Sequence, residues 1–286
     1  MKARRQPAPG SKGGRELLIF ATLWSLRQYP SRSREWSWSK KFEAIRAARC
    51  DGVFSPPIPA LEERGDLRYL AVTSLDDAAK VAPSLEAARK LGALGVDIQL
   101  GDYDSPVEDM VKLARRIDEV ASELGLPYAI ETHRDTFTET PEATLALARG
   151  FLAATGKVLP LCLDHSHFAV VRHLAPGVFW ERLKEPAVLL EAAAQFHLRP
   201  FNGHHCQIPV LSASGRRTPE YLAWRAYAAS LFGYLQQQAT KQPVWVVPEL
   251  GHAAPSYGLT GFGDTWSDVL TVVRDLRQLW RAPGAS

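Results

Sequence analysis

From residue 17 onward, the chain alternates between short apolar runs and longer amphipathic segments. Eight apolar runs have the length of buried strands, and several are continuously apolar, as expected for a parallel sheet covered on both faces. These predicted strands span residues 17–24, 52–55, 68–73, 95–100, 126–131, 158–164, 194–199 and 243–249.

The segments between these runs show helical periodicity. The clearest helix is predicted at 106–124, with a capping box and first-turn proline at 105–108 and with Gly125 ending it. Thr140-Pro141 and Thr218-Pro219 open two further helices in the same manner. A weaker helix is marked by Trp38, Phe42 and Ile45.

Eight strands alternating with helices predict a single-domain (β/α)8 TIM barrel over residues 17–286. A doubly wound open sheet is the main alternative. It lacks support because no glycine-rich phosphate-binding turn follows the first strand. Residues 200–217 form a long polar stretch after the seventh strand, which would place them at the mouth of a barrel.

Charge and composition narrow the classes of function. The 286-residue chain has a formal net charge of +3, and residues 1–16 hold five basic side chains against one acidic, so the remaining 270 residues sum to −1. A nearly neutral body argues against a nucleic-acid partner, and no run is long enough to cross a membrane. Residues 1–16 are predicted to be a disordered basic tail, and the three scattered cysteines indicate reduced thiols in a cytoplasmic protein.

A polar side chain stands at the end of four of the predicted strands. Glu131, Asp164, His197 and Glu249 end the runs "LPYAIE", "VLPLCLD", "AAAQFH" and "PVWVVPE". The first two intervals are both 33 residues, about the length of one strand–helix unit. Because such strand ends converge in a barrel, the set predicts a site for a divalent cation.

The predicted chemistry is proton abstraction next to a carbonyl. A divalent ion would polarise the carbonyl of an α-hydroxy ketone or aldehyde and stabilise an enediolate, and a carboxylate beside the ion would remove the proton. Each carboxylate taken singly is better explained as a helix cap or an ion-pair partner. Asp164 and Glu249 follow strongly apolar runs, which favours pairing or metal binding for their charges.

Further candidates surround these four. His133, His167, Arg199 and Trp24 are predicted to bind substrate, with a polar core position, a salt bridge or aromatic core packing as the alternatives. If Asp164 faces the site, strand alternation turns His165 outward toward the helices. His204, His205 and Cys206 lack a partner pair at zinc-site spacing, so a surface loop is expected there. No G-x-S-x-G elbow supports a serine hydrolase.

Four segments together resemble the xylose-isomerase-like TIM barrels, a group of sugar phosphate isomerases and epimerases. They are "AIETHRDTFTETPEATLALA", "LCLDHSHFAVV", "AAQFHLRP" and "VVPELG". The resemblance implies one divalent ion, Mn²⁺, Mg²⁺, Co²⁺ or Zn²⁺, held by Glu131, Asp164, His197 and Glu249. It further implies that Glu131 and Glu249 exchange protons with the two faces of the substrate and that His167 contacts substrate oxygens.

One departure from that family bears on the substrate. The ketose 3-epimerases carry a Glu and an Arg in an H-x-G-E-x-x-R type pattern, whereas "HLRPFNGHH" puts Arg199 closer and supplies no Glu. The same barrel also serves inosose dehydratases and keto-sugar lyases. The endonuclease IV branch needs more histidines and a basic groove.

The sequence therefore predicts a metal-dependent isomerase or epimerase of carbohydrate metabolism, acting on a sugar or a related polyol ketone. The first alternative is a keto-sugar lyase or inosose-type dehydratase with the same site. The second is a catalytically inert barrel that binds a sugar or a partner protein. Relatives of this fold are often dimers or tetramers, so the resemblance is compatible with a homo-oligomer.

Overall fold

The computed structural model describes residues 15–251 and 262–282. Eight parallel strands close into a barrel in sequence order, and β1 pairs with β8 to complete it. The strands are β1 Leu17–Thr22, β2 Gly52–Ser55, β3 Arg68–Leu75, β4 Val96–Leu100, β5 Tyr128–Glu131, β6 Leu161–Leu163, β7 Ala193–His197 and β8 Val244–Val247. The predicted (β/α)8 architecture is confirmed.

Helices cover the outside of the barrel. In the described part of the chain they are α1 Trp38–Ala47, α2 Ala78–Lys90, α3 Val107–Leu124, α4 Pro141–Thr155, α5 His165–Val171, α6 Phe179–Leu183, α7 Ala187–Glu191, α8 Pro219–Gln237 and α9 Thr265–Arg281. Thr140 and Thr218 cap α4 and α8 through their side chains, as predicted. Helix α3 ends at Gly125, whose φ of 58° lies in the left-handed region that suits glycine.

The predicted capping box at 105–108 is wrong. Pro106 occupies the N-cap position of α3, and no side chain caps the helix there. Ser105 instead accepts a hydrogen bond from the backbone N–H of Asp102, because the preceding loop turns back toward it. The helix keeps the acidic first turn of Glu108 and Asp109, which interacts favourably with its dipole.

The barrel interior has two contrasting walls. One wall is a small apolar cluster separate from the main core, formed by Leu18, Phe20, Phe54, Leu70, Val72 and Val247 with Trp24 and Trp245 against it. Inward positions of the strands opposite are polar and buried, namely Asp97, Glu131, Gln195 and His197. Outward residues of the same strands, such as Val96, Ile98 and Ile130, pack under the helices. The interior polarity therefore concentrates on β4 to β7.

The start of the described chain is tied to the barrel. Residues 1–14 of the predicted tail lie outside the described residues. Arg15, the next residue, is buried and donates hydrogen bonds to the carbonyls of Gln242 and Leu235. None of the helices in the described part of the chain is both long and apolar enough to span a bilayer.

Candidate active site

The four predicted metal ligands meet at the carboxyl end of the barrel. Glu131 and His197 are the last residues of β5 and β7, Asp164 directly follows β6, and Glu249 lies two residues beyond β8. Each offers one ligand atom, and these atoms all lie within 4.8 Å of one another. The equal spacing in the sequence thus corresponds to successive strand–helix units that end at one place. Their role as metal ligands stays a prediction.

His197 is central to this group. Its Nδ1 lies 2.8 Å from Oε1 of Glu131 and 3.1 Å from Oε2 of Glu249. Oε1 of Glu131 is buried and accepts no hydrogen bond from the described residues. Three carboxylates and one imidazole match the ligands that Mn²⁺, Mg²⁺, Co²⁺ and Zn²⁺ take in proteins. These residues therefore fit a divalent ion.

Hydrogen bonds from neighbouring groups hold one oxygen of Glu131 and one oxygen of Asp164. The second oxygen of each carboxylate faces the cluster. Gln99 donates to Oε2 of Glu131 at 3.0 Å, and Ser74 donates to the amide oxygen of Gln99 at 2.9 Å. Oδ1 of Asp164 accepts from the backbone N–H of Ser166, which caps helix α5. The carboxylates are thus oriented before any ligand arrives.

A threonine joins the ends of β5 and β6. Thr132 accepts a hydrogen bond from the backbone N–H of Asp164 at 2.8 Å and donates to its carbonyl at 3.2 Å. Thr138, further along the same loop, donates to the carbonyl of Glu131. All four side chains are buried. These bonds set the relative position of two predicted ligands.

Burial raises the pKa values of the carboxyl groups in this cluster, whereas nearby cationic side chains lower them. Burial raises the pKa of Glu131, but His197 outweighs burial and brings this pKa below its ordinary value. At Glu249 burial is outweighed by Arg199 and His197, which lower its pKa to about 2. Burial prevails at Asp164 and raises its pKa despite Arg199. Glu131 and Glu249 therefore stay ionised beside the cationic side chains of His197 and Arg199.

Arg199 lies inside this cluster. Its guanidinium donates to Oδ2 of Asp164, and Nη1 lies 3.3 Å from Oε1 of Glu249. It also donates to Nε2 of His167 at 2.8 Å and to Ser166 at 3.1 Å. The salt bridge weighed from the sequence is thus present, and it is formed with two of the predicted ligands. A contact between Arg199 and substrate stays a prediction.

The other predicted substrate-binding residues border the cluster. The ring of His133 is 4.7 Å from that of His167, and Nε2 of His167 is 3.4 Å from Asp164. Trp24 packs edge-on against Phe54, whose ring in turn lies edge-on to His197 with centroids 4.9 Å apart. The structure brings all of these side chains to one end of the barrel.

His165 points away from the site. Its Nδ1 contacts the hydroxyl of Tyr227 on α8, so the predicted outward orientation is confirmed. The cause differs in part from simple strand alternation. Strand β6 ends at Leu163, and helix α5 begins at His165. His167 comes back toward the site on the first turn of that helix.

Comparisons with known proteins identify the fold. No family model matches the sequence, and no curated protein matches it. Among solved structures, L-ribulose 3-epimerase is 13% identical with a TM-score of 0.61, covering 93% of this chain and 96% of that one. A xylose isomerase-like TIM barrel protein from Mycobacterium smegmatis in complex with magnesium is 15% identical, with a TM-score of 0.54 and coverage of 92% and 98%. The chain has the xylose isomerase-like barrel fold.

A third solved structure with this barrel carries a different activity in its name. It is the probable 3-DHS dehydratase AsbF from Bacillus anthracis, 14% identical with a TM-score of 0.52, covering 92% of this chain and 98% of that one. The fold resemblance inferred from the motifs is therefore confirmed. At these identities it establishes the architecture, and the reaction depends on the residues of the site.

Sequence reasoning missed two inward residues beneath this cluster. Oδ2 of Asp97 on β4 lies 2.8 Å from Nε2 of His197, on the opposite side of the ring from Glu131. Ligand atoms of Asp97, Cys162 and His197 lie within 4.8 Å of one another, and all three residues are buried. A charged residue within the apolar run "GVDIQL" was the available signal.

These neighbours shape the charge of the imidazole. Burial lowers the pKa of His197. This effect is outweighed by Cys162, Glu131 and Asp97, which hold the pKa well above its usual value. Burial and the charge of Glu131 raise the pKa of Asp97 to about 6, because His197 only partly offsets them. His197 is therefore a basic group between acids above and below it.

The segment 200–217 behaves as the expected loop in one part and contributes to the site in another. His204 and His205 are exposed, and their backbone N–H groups donate to the side chain of Asn202. Sγ of Cys206, by contrast, lies 3.5 Å from Nδ1 of His167 and is partly buried. Cys206 was not predicted at the site, since only the path of the loop brings it there.

Proposed function

We propose that this protein is a divalent-metal-dependent isomerase or epimerase of a sugar or a related polyol ketone. The observation that carries the proposal is the convergence of Glu131, Asp164, His197 and Glu249, whose ligand atoms lie within 4.8 Å of one another at the barrel mouth. These residues would hold the ion. When bound, a divalent ion supplies a Lewis acid for the substrate carbonyl and for the negative charge that develops on its oxygen.

The two glutamates are the proposed acid/base pair. They approach His197 from different strands, with Glu131 at 2.8 Å and Glu249 at 3.1 Å from the same nitrogen. One carboxylate would take the proton from the carbon next to the carbonyl. The other would return a proton to that carbon on the opposite face, or to its neighbour, which gives the epimer or the isomer.

Arg199 and His167 are proposed to orient substrate oxygens. Both side chains are about 1% exposed and lie beside Asp164. Burial keeps the pKa of His167 well below its usual value, with Arg199 adding to the effect, so its imidazole is neutral. A neutral imidazole and a guanidinium together offer donors for a hydroxyl and a carbonyl.

Two of the structural relatives support this choice of function. One is named as an L-ribulose 3-epimerase, and another is described in complex with magnesium. Both share the barrel at TM-scores above 0.5. The site of the present chain supplies carboxylates and a histidine at the same end of the barrel where enzymes of this architecture place their chemistry.

The test exchanges substrate protons with solvent. The protein is supplied with Mn²⁺ and incubated in D₂O with a panel of ketopentoses, ketohexoses and their phosphates, and products are analysed by mass spectrometry and NMR. Deuterium appears at the carbon next to the carbonyl, without loss of water, in the epimer or isomer formed. Glu249→Gln is expected to reduce turnover by about 10²–10⁴-fold, because it removes an acid/base group.

The matched control is Glu86→Gln on the exposed surface of α2, which is expected to retain wild-type turnover. Unfolding curves of both variants check that the fold is intact. Full activity of Glu249→Gln on the identified substrate would refute the assigned role.

A dehydratase or lyase is the second candidate. The name of one structural relative, a probable 3-DHS dehydratase, favours keeping it. Elimination begins with the same abstraction of a proton next to a carbonyl, so Glu131 or Glu249 would serve equally. Loss of 18 mass units or of an aglycone in the same assay identifies elimination, whereas a mass-neutral change identifies isomerisation.

A further inference from the structure

Asp97 is a buried carboxylate that the proposed reaction does not use. It is the second residue of β4 and has no solvent exposure, and it lies below the group formed by Glu131, Asp164, His197 and Glu249. Its partners in strand register are Val72 on β3 and Ala129 on β5, neither of which offers a polar side chain. A carboxylate buried without a partner costs several kcal/mol. A partner must therefore exist elsewhere.

That partner is the far side of the His197 ring. Oδ2 of Asp97 lies 2.8 Å from Nε2 in an ion-pair contact that lacks hydrogen-bond geometry in this orientation, whereas Nδ1 of the same ring faces Glu131 and forms a hydrogen bond with Glu249. The ring of Phe54 lies edge-on to the imidazole at 4.9 Å between centroids, which restricts its rotation. The two nitrogens thus face two different groups of carboxylates.

We propose that Asp97 is a positioning residue that, in the metal-loaded protein, keeps the one remaining proton of His197 on Nε2 and so leaves the lone pair of Nδ1 to the metal. A neutral imidazole carries its proton on only one nitrogen, and a carboxylate at Nε2 selects the tautomer with the proton there. Nδ1 is then the nitrogen available to a cation. The inference rests on the proposed function in one respect, namely that the upper group binds a divalent ion.

A second reading of the same residues is a lower cation site. Asp97, Cys162 and His197 offer an oxygen, a sulfur and a nitrogen within 4.8 Å of one another. Such a site would need Nε2 of His197 without its proton while Nδ1 serves the upper site, so the ring would have to be an imidazolate. Positioning is therefore favoured.

The first experiment measures metal affinity without turnover. Protein freed of metal with a chelator is titrated with Mn²⁺, and binding is followed by calorimetry and by the EPR signal of free Mn²⁺. Asp97→Leu, similar in size but without an acceptor, is expected to raise the Kd by about 10–100-fold. Asp97→Asn retains an acceptor oxygen for the Nε2 proton and is expected to stay much closer to wild type.

Two controls separate positioning from packing. Val72→Ala changes the interior beside Asp97 but leaves the Asp97 and His197 side chains in place, and its Kd is expected to equal that of wild type. Unfolding of the chelated proteins is measured in parallel. Asp97→Leu leaves Nε2 of the buried His197 without its ion-pair partner, so a loss of stability is expected, and the Kd is measured under conditions in which the unfolding curves show the variant to be folded.

The outcomes are distinct. If wild-type protein binds one ion and Asp97→Leu binds it with an unchanged Kd, the positioning role is overturned and the proposed function stands. Two ions in wild type and one in Cys162→Ser would make Asp97 a ligand and overturn it as well. Wild-type protein that binds no ion would overturn the proposed function and this inference with it.

A measurement on wild type keeps the inference testable even if Asp97→Leu does not fold. In Zn²⁺-loaded protein, ¹⁵N NMR of histidine-labelled samples reports which ring nitrogen carries the proton. The expected result is a proton on Nε2 of His197 and the metal on Nδ1. The reverse assignment would overturn the proposal.

Discussion

At the scale of single residues, Arg199 shows how charge is balanced inside the barrel. Its guanidinium is about 1% exposed and contacts two carboxylates, Asp164 and Glu249. Two buried carboxylates that face each other would repel strongly at the low effective dielectric of an interior. The arginine therefore stabilises the arrangement that the proposed ion would also neutralise.

Replacing this arginine should make folding depend on metal. Arg199→Met leaves Asp164 and Glu249 without their cation, so in the presence of chelator the free energy of unfolding is expected to fall by about 3–5 kcal/mol. Saturating Mn²⁺ should recover a larger share of stability in this variant than in wild type. Urea unfolding with and without the ion measures both quantities.

Arg149→Met is the matched control, because Arg149 is exposed on α4 and should change stability by less than about 0.5 kcal/mol. An equal loss with chelator and with Mn²⁺ would show that Arg199 does not share its carboxylates with an ion.

At the scale of elements, the loop between β7 and α8 is held by helix α9. Asp268 on α9 accepts hydrogen bonds from the backbone N–H groups of Val210 and Leu211. Asp275, two turns further along, pairs with Arg217 at the end of the loop. Because this loop carries Cys206 to the site, α9 indirectly sets the shape of the barrel mouth.

The buried Asp268 should leave a signature in the pH dependence of stability. Burial raises its pKa to about 6, so the folded protein binds the proton more tightly than the unfolded chain. Its contribution is then fully present below the unfolded pKa of about 3.9 and is lost as pH rises through about 6. Relative to Asp268→Asn, wild type should lose on the order of 1 kcal/mol between pH 4 and pH 7.

Urea unfolding at half-unit pH steps measures this difference. The control is Asp104→Asn, which removes an exposed carboxylate in the loop before α3 and is measured through the same pH series. A difference for Asp268→Asn that does not change with pH would show that this carboxyl titrates normally in the folded protein.

At the scale of the whole molecule, the proposed metal site connects four strand ends around half of the barrel. Its residues come from β5, β6, β7 and the segment after β8, and β8 pairs with β1 to close the sheet. An ion that bridges them can bind only when these strands are assembled. Binding should therefore be linked to global folding and not to a local rearrangement.

A divalent ion should accordingly stabilise the entire barrel. At a free Mn²⁺ concentration of 100 times the Kd, the free energy of unfolding is expected to rise by about 2.7 kcal/mol, since the unfolded chain has no preformed site. The measurement compares urea unfolding in chelator and in Mn²⁺, with Glu249→Gln expected to show a reduced gain. Equal stability with and without the ion in wild type would contradict a site shared by these strands.

The sequence by itself determined the strands, several helices and the four polar strand ends. Continuous apolar runs are sufficient for this, because buried parallel strands show their burial in local composition. Glu131, Asp164, His197 and Glu249 were found because each interrupts such a run at its end. The outward direction of His165 was also predicted, from strand alternation, although in the structure this residue begins helix α5.

Only the tertiary structure decided what each of these side chains touches. Asp97 reaches His197 from a strand 100 residues earlier in the chain, Arg199 lies between Asp164 and Glu249, and Cys206 returns to His167 along an irregular loop. The periodicity of a strand sequence predicts whether a residue faces inward. The register of the closed barrel determines which inward residues lie at the same height along its axis. The charge and tautomer of His197 depend on such neighbours, and for this reason they cannot be read from the order of residues.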